Sequence, residues 1–199
     1  MQRSFLVFLA LTLVLMVGVL VYFAGIIAEQ PEPAAAVAVA PEIVEYPSFT
    51  MKDIDGNDRD FSEWDGRHRL LNFWATWCAP CRREIPLLKE FQAEQGDDGI
   101  LIMGIAVDFP EEVTRYAEAA EFNYPILVGQ EDAMAAAEAT GIDFIGMPFT
   151  MIVSRNGQFL GAYLGELHRS HLDTISELLG RLDNAEIDAA QIKEALALL

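Results

Sequence analysis

The chain predicts an α/β domain built on a mixed sheet with helices on both faces, preceded by one membrane-crossing segment. Three observations carry this. Apolar strand-like runs alternate with helix-like stretches from Arg69 to Thr140. An antiparallel pair closed by Asn156-Gly157 follows, a dipeptide suited to a tight hairpin. At the other end, Phe5 to Ile27 runs 23 residues without a charge.

The elements follow in order. Phe49–Lys52 and Arg59–Phe61 flank the turn-forming Asp55-Gly56-Asn57-Asp58, so a small hairpin opens the domain. Arg69–Ala75 reads as a buried strand. Pro80–Gln95 carries Ile85, Leu87, Leu88 and Phe91 at helical intervals and stops at Gly96. Ile100–Val107 is a continuous apolar strand of the kind covered on both faces. Glu111–Glu121 predicts a helix, Ile126–Val128 a short strand and Met134–Thr140 a short helix ended by Gly141. Phe149–Val153 and Gln158–Tyr163 form the hairpin, and His168–Leu182 the closing helix. Asn184 is placed as the cap of a last helix through Leu199. Strands alternating with helices and then pairing antiparallel give the mixed sheet.

At about 1.5 Å per residue the apolar segment spans about 34 Å, enough for a hydrocarbon layer of about 30 Å. It exceeds the 7–15 apolar residues of an ordinary cleaved leader. Arg3 precedes it and Glu29 and Glu32 follow, so the amino terminus is expected in the cytoplasm and the rest across the membrane. Residues 28–47, rich in Ala, Pro, Glu and Val, read as an extended tether. The expected organisation is an anchor at 1–27, a linker at 28–47, a globular domain at 48–183 and a C-terminal helix at 184–199. The net charge of −18 opposes binding to nucleic acid or to anionic lipid surfaces.

The chemistry sits in the only two cysteines, Cys78 and Cys81, in Trp77-Cys78-Ala79-Pro80-Cys81 between a strand and a helix. The first turn of a helix has unpaired N–H groups and partial positive charge, which favours thiolate over thiol. A free cysteine titrates near ~8.5, and one in a C-x-x-C pair at a helix start falls to roughly 3.5–7.5. Cys78 is then an attacking sulfur at neutral pH, and Cys81, one turn on, can reach back to it. Pro80 suits a first helical turn, since it has no N–H to lose there. A zinc site needs two more ligands from His68, His168 and His171, and covalent haem attachment needs a histidine where Arg82 stands.

The run from Asn72 to Pro86 (Asn72-Phe73-Trp74-Ala75-Thr76-Trp77-Cys78-Ala79-Pro80-Cys81-Arg82-Arg83-Glu84-Ile85-Pro86) resembles the active-site segment of thioredoxin-fold proteins. More narrowly it resembles the membrane-anchored TlpA/ResA/DsbE group of bacterial thiol-disulfide oxidoreductases. Gly146–Val153 with Asn156-Gly157 is similar to that fold's cis-proline loop and final hairpin. The resemblance covers roughly residues 48–182 and implies a three-layer α/β/α thioredoxin-like domain. It implies that Cys78 is the exposed nucleophile forming a mixed disulfide with a client and that Cys81 is the buried resolving thiol. Pro148 is then the cis residue facing them, exposing the Met147 backbone to an extended client segment. Trp77, Ala79, Pro80 and Met147 are expected to contact the client. No cofactor is expected beyond the Cys78–Cys81 pair.

Thioredoxins proper carry an aspartate where this chain has Asn72, and an amide cannot exchange a proton in the working range. Glu84, three residues after Cys81 and six after Cys78, shares their side of the helix and becomes the expected proton carrier. A carboxyl tucked against the sulfurs is expected to have a raised pKa.

The group implies a periplasmic reductase held in a bacterial inner membrane, fed by a membrane donor of the DsbD/CcdA kind. Its clients are proteins with cysteine pairs, in cytochrome c maturation or oxidase assembly. Two alternatives stay open: a disulfide oxidant or isomerase, and a copper carrier using Cys78, Cys81 and a histidine such as His171.

Overall fold

The computed structural model describes Met16 and residues 44–199. The expected anchor at 5–27 and most of the linker lie outside the described residues. Among the described residues no helix is long and apolar enough to cross a membrane.

The elements are β1 (Thr50–Asp53), β2 (Asp58–Asp60), β3 (Arg69–Trp74), α1 (Ala79–Gln95), β4 (Leu101–Val107), α2 (Pro110–Ala120), β5 (Ile126–Gly129), α3 (Glu131–Glu138), β6 (Phe149–Val153), β7 (Phe159–Leu164), α4 (Arg169–Asp183) and α5 (Ala189–Leu196). One seven-stranded sheet runs in the order β2-β1-β5-β4-β3-β6-β7. β3, β4 and β5 are parallel, and β1, β2, β6 and β7 join antiparallel. The mixed sheet expected from the element order is present.

β3 lies inside the sheet with every residue buried, and its side chains alternate between two apolar layers. Leu70 and Trp74 join α1, α2, α4 and α5 on one face. Leu71 and Phe73 face the other way, toward α3 and the aromatics Tyr46, Phe61 and Phe149. This second layer is thin in helix, and rings take its place: Phe49 stacks on Phe61 at 4.8 Å and Phe144 sits 6.0 Å from Phe73. Gly104 on β4 permits a close approach within the first layer. A Cβ there would sit 2.5 Å from Ile126 Cδ1 and 3.1 Å from the Trp74 indole nitrogen.

Three local readings change. Tyr46, assigned to the tether, is buried, and its hydroxyl donates to the Ala136 carbonyl. Val44–Tyr46 runs beside the start of β7, with Phe159 N–H donating to Val44 and Tyr46 N–H to Gly157. Phe61–Trp64 is a 3₁₀ turn capped by Asp60 with Glu63 reaching back, where the sequence pattern suggests only a strand end. Asn184 does not open the last helix. It closes α4, donating its N–H to the Gly180 carbonyl, while Asp188 caps α5 with Gln191 in a reciprocal capping box. An aspartate three residues before a glutamine satisfies two orphan donors at once, which Asn184 with Ile187 cannot do.

Candidate active site

The site forms where β3 ends and α1 begins. Cys78 is the N-cap of α1 in extended conformation, and its Sγ accepts the Cys81 N–H at 3.3 Å. Pro80 lies in the first turn, where its missing donor is one that the helix leaves unpaired anyway. Cys78 and Cys81 are joined in a disulfide, S–S 2.00 Å. Pro86 lies inside α1, removing the N–H that would bond the Arg82 carbonyl.

The expectation of an exposed sulfur at Cys78 is corrected here. Cys78 is 6% exposed and Cys81 0%, both within the first apolar layer. The reason is local: the Cys78 side chain turns back over the helix start to bond Cys81 and accept its N–H. Trp77, 68% exposed, is what projects.

Thr76 anchors the loop before the cysteines, its N–H and hydroxyl both donating to Asp108 Oδ2, at 2.9 and 2.6 Å. Trp77 and Phe109, the residues that follow this bonded pair, are both exposed. On the other side, the Met147–Pro148 bond is cis, and Phe149 pairs with Phe73 in register, so Pro148 comes level with the end of β3. The Pro148 carbonyl accepts the Gly165 N–H at 2.9 Å. Ile145 and Leu164 are the exposed apolar residues there, and a Cβ on Gly146 would lie 4.0 Å from Leu164 Cδ1. Met147 packs partly against the layer that holds the cysteines. The exposed apolar rim at this edge of the sheet is thus Trp77 and Phe109, just past β3 and β4, and Ile145 and Leu164, beside β6 and β7, with Met147 partly buried against the layer that holds the cysteines. Phe109, Ile145 and Leu164 carry no local signal in the sequence. Phe109 follows the end of β4, Ile145 lies in the segment leading into β6, and Leu164 ends β7, so only the sheet's topology brings them to one edge.

Beneath the rim lies a buried polar group. Glu84, one helical turn after Cys81, is 1% exposed. Its Oε1 accepts from the Asn72 amide at 2.8 Å and its Oε2 from the Leu167 N–H at 2.6 Å. The Asn72 amide also donates to Thr150 Oγ1 at 3.0 Å. Loss of water outweighs the two donated hydrogen bonds, and the Glu84 pKa is raised to about 7. Arg83 does not reach this carboxylate and pairs instead with Glu166 on the surface. Of the residues expected from the sequence, the fold gathers Cys78, Cys81, Glu84, Trp77, Ala79 and Pro80 on one loop and helix and brings Met147 and Pro148 alongside. Thr150 and Leu167 join the site unannounced by the sequence, being 78 and 83 residues distant from their partners. Among the described residues no group of three or more His, Cys, Asp or Glu is arranged to hold a metal ion.

Comparison with known proteins agrees with this geometry. The AhpC/TSA family model matches residues 44–161. Thiol-disulfide oxidoreductase ResA of Geobacillus thermodenitrificans is 29% identical over 134 residues, 65% of this chain and 75% of that protein. The thioredoxin-like protein YneN of Bacillus subtilis is 27% identical over 133 residues, 64% of this chain and 74% of that one. A solved thiol:disulfide interchange protein of the thioredoxin family from Chlorobium tepidum superposes with a TM-score of 0.63 at 27% identity, covering 69% of this chain and 96% of its own. A putative DsbE from the same organism shares the fold, with a TM-score of 0.60 at 21% identity over 70% of this chain and 96% of its own. By motif, site and likeness, the chain belongs to the AhpC/TSA family of thioredoxin-fold proteins and is a thiol-disulfide oxidoreductase.

Proposed function

We propose that the chain is a membrane-tethered periplasmic reductase of disulfides in selected client proteins. The observation that carries this reading is the Cys78–Cys81 pair at the start of α1 with a buried carboxyl one turn beyond, under an exposed apolar rim. A small-molecule reductase needs an enclosed pocket, whereas this rim is open and suits an apolar stretch of polypeptide. The uncharged run from Phe5 to Ile27 supplies the tether, and the client class is that of proteins with cysteine pairs, an apocytochrome c or an oxidase copper-site protein among them.

In the reduced protein the Cys78 thiolate attacks one sulfur of a client disulfide. A mixed disulfide forms and one client thiolate leaves. Glu84 takes the Cys81 proton, the Cys81 thiolate attacks Cys78 Sγ, and the second client thiolate is expelled. Two electrons pass to the client and the Cys78–Cys81 disulfide is restored. A membrane dithiol donor of the DsbD/CcdA kind then reduces it again.

Cys81→Ser blocks the second displacement and tests the reading. Expressed with its amino-terminal segment in a bacterium, the variant is expected to accumulate mixed disulfides, released by dithiothreitol, with a few exported proteins bearing cysteine pairs. A variant that captures no client and shows no disulfide reduction as wild type would overturn the proposal. A wild type that oxidises reduced clients faster than it reduces oxidised ones would instead make it an oxidant.

A further inference from the structure

Asn72 stands at the centre of the sheet, on the face of β3 that meets α1, and it is 1% exposed. Its amide nitrogen has two protons and two oxygens within reach, Glu84 Oε1 at 2.8 Å and Thr150 Oγ1 at 3.0 Å. Thr150 is fully buried on β6, paired in register with Asn72 itself. The amide is thus held by its own strand and by a neighbour in the sheet, while Glu84 is on the helix that bears the cysteines. We propose that Asn72 is a positioning residue whose amide, clamped between Thr150 and Glu84, sets the proton affinity of Glu84 and with it the pH at which Cys81 gives up its proton. This rests on the reading of Glu84 as the proton carrier.

The chemistry explains why an amide suits this position. A carboxylate 2.8 Å from Glu84 would repel its ionised form, and an aliphatic side chain would leave an oxygen without a donor. An amide donates to ionised Glu84 through Nδ2. Once Glu84 is protonated, rotation of the amide presents Oδ1 to accept the new O–H, and the Thr150 hydroxyl, which can both donate and accept, turns with it. One side chain therefore serves both protonation states without moving the backbone. Burial and the Glu166 carboxylate raise the Glu84 pKa, the Leu167 and Asn72 donors restrain the rise, and the buried Tyr124 hydroxyl is the other titratable group interacting with it.

The test uses the full chain with Asn72→Leu, and Asn72→Ala as the variant that adds no bulk. In protein labelled with ¹³C at the glutamate side-chain carboxyl, the Glu84 midpoint is expected to move up by about one pH unit, a tenfold gain in proton affinity. The Asn72 side-chain amide resonances of the wild type are expected to titrate with the Glu84 midpoint. The pH profile of client reduction should shift upward in step, and in a Glu84→Gln background Asn72→Leu should shift it no further. An unmoved Glu84 midpoint in both variants, or an equal profile shift in the Glu84→Gln background, overturns the proposal. A wild-type profile indifferent to Glu84→Gln refutes the proton-carrier reading instead, and the carboxyl midpoints still report whether Asn72 controls Glu84.

Discussion

Arg69 and Glu84 are both withdrawn from water against β3, and they answer that withdrawal in opposite ways. Arg69 enters the strand on the α3 side, fully buried, with its guanidinium 4.3 Å over the Phe61 ring. Nη1 donates to Asp65 at 2.8 Å, while Nε and Nη2 have no hydrogen-bond partner. Glu84 approaches the other face from α1 with a donor on each oxygen, yet neither donor is a cation. Burial lowers the Arg69 pKa against the pull of Asp65, but a guanidinium never discharges at working pH. A carboxyl can discharge, and with only neutral donors around it Glu84 titrates at about 7. Two neutral hydrogen bonds do not hold the buried carboxyl charged, whereas the guanidinium stays charged through its own basicity. One end of the strand therefore keeps a permanent ion for structure, and the other keeps a switchable one beside the redox pair.

The sharpest way to separate the two ends is to remove the chemistry from one. Cys78→Ser is expected to abolish client reduction, while Arg69→Met retains the wild-type rate, both measured by reduction of a protein disulfide such as insulin's. If Arg69→Met also loses the rate while remaining folded, the division fails.

Next comes pH. The folded-state pKa of Glu84 lies above the ordinary value of 4.5, so between 4.5 and about 7 the folded chain holds a proton that the unfolded chain has lost. Stability from this group is therefore complete below pH 4.5 and falls as pH rises through about 7. Each pH unit between the two values is worth about 1.4 kcal/mol, so the loss amounts to about 3 kcal/mol. Glu84→Gln should remove most of that slope, read from urea unfolding at about pH 5 and about pH 8.5, whereas Arg69→Met should leave the slope intact. A slope unchanged by Glu84→Gln would assign it to other groups.

A smaller effect tests the permanent ion. Asp65→Ala strands the Arg69 charge. Asp65 is itself largely exposed, so the cost should be about 1–2 kcal/mol, below that of a fully buried pair. Arg69→Met, which removes both the charge and its need for a partner, should come out near neutral. Equal destabilisation by the two variants would mean that packing on Phe61 governs and the ion does not.

Smallest is the rim. Trp77→Ser should raise KM for a protein client about fivefold, the equivalent of about 1 kcal/mol of aromatic contact. It should leave reduction of a small aryl disulfide unchanged. An equal loss with both substrates would make Trp77 part of the sulfur chemistry.

The sequence discloses most of the frame, and the reasons are physical. β3 and β4 are uninterrupted apolar runs, which only a strand covered on both sides tolerates. The cysteines, Pro80 and Glu84 fall within seven residues of one another, so helical spacing alone places them on a common side. Tyr46 escapes because a lone aromatic in Ala/Pro-rich surroundings gives no periodicity. Asn184 and Asp188 are both good caps, and only the reciprocal bond from Gln191 separates them. The partners of Glu84 are hidden for another reason. Asn72 reads as a departure from an aspartate, and its two acceptors, like the Leu167 donor, are assembled by strand pairing and by the approach to α4, which no local pattern encodes. The low exposure of Cys78 belongs to the same class, being set by how its sulfur folds over the helix start.

The alternation along β3 has a consequence for how this chain can vary. Even-numbered positions carry Asn72 and Trp74 toward the helix with the cysteines, and odd ones carry Arg69 and Phe73 toward the aromatic layer. A deletion or duplication of a single residue between 69 and 74 transposes the two sets, pushing a guanidinium into the helix-covered apolar layer or the amide among phenyl rings. Point changes in this strand can be graded, but indels cannot. A library of one-residue deletions should show an abrupt loss across those positions and a graded one in the neighbouring Asp65–Arg67 turn, where Asp65 pairs with Arg69.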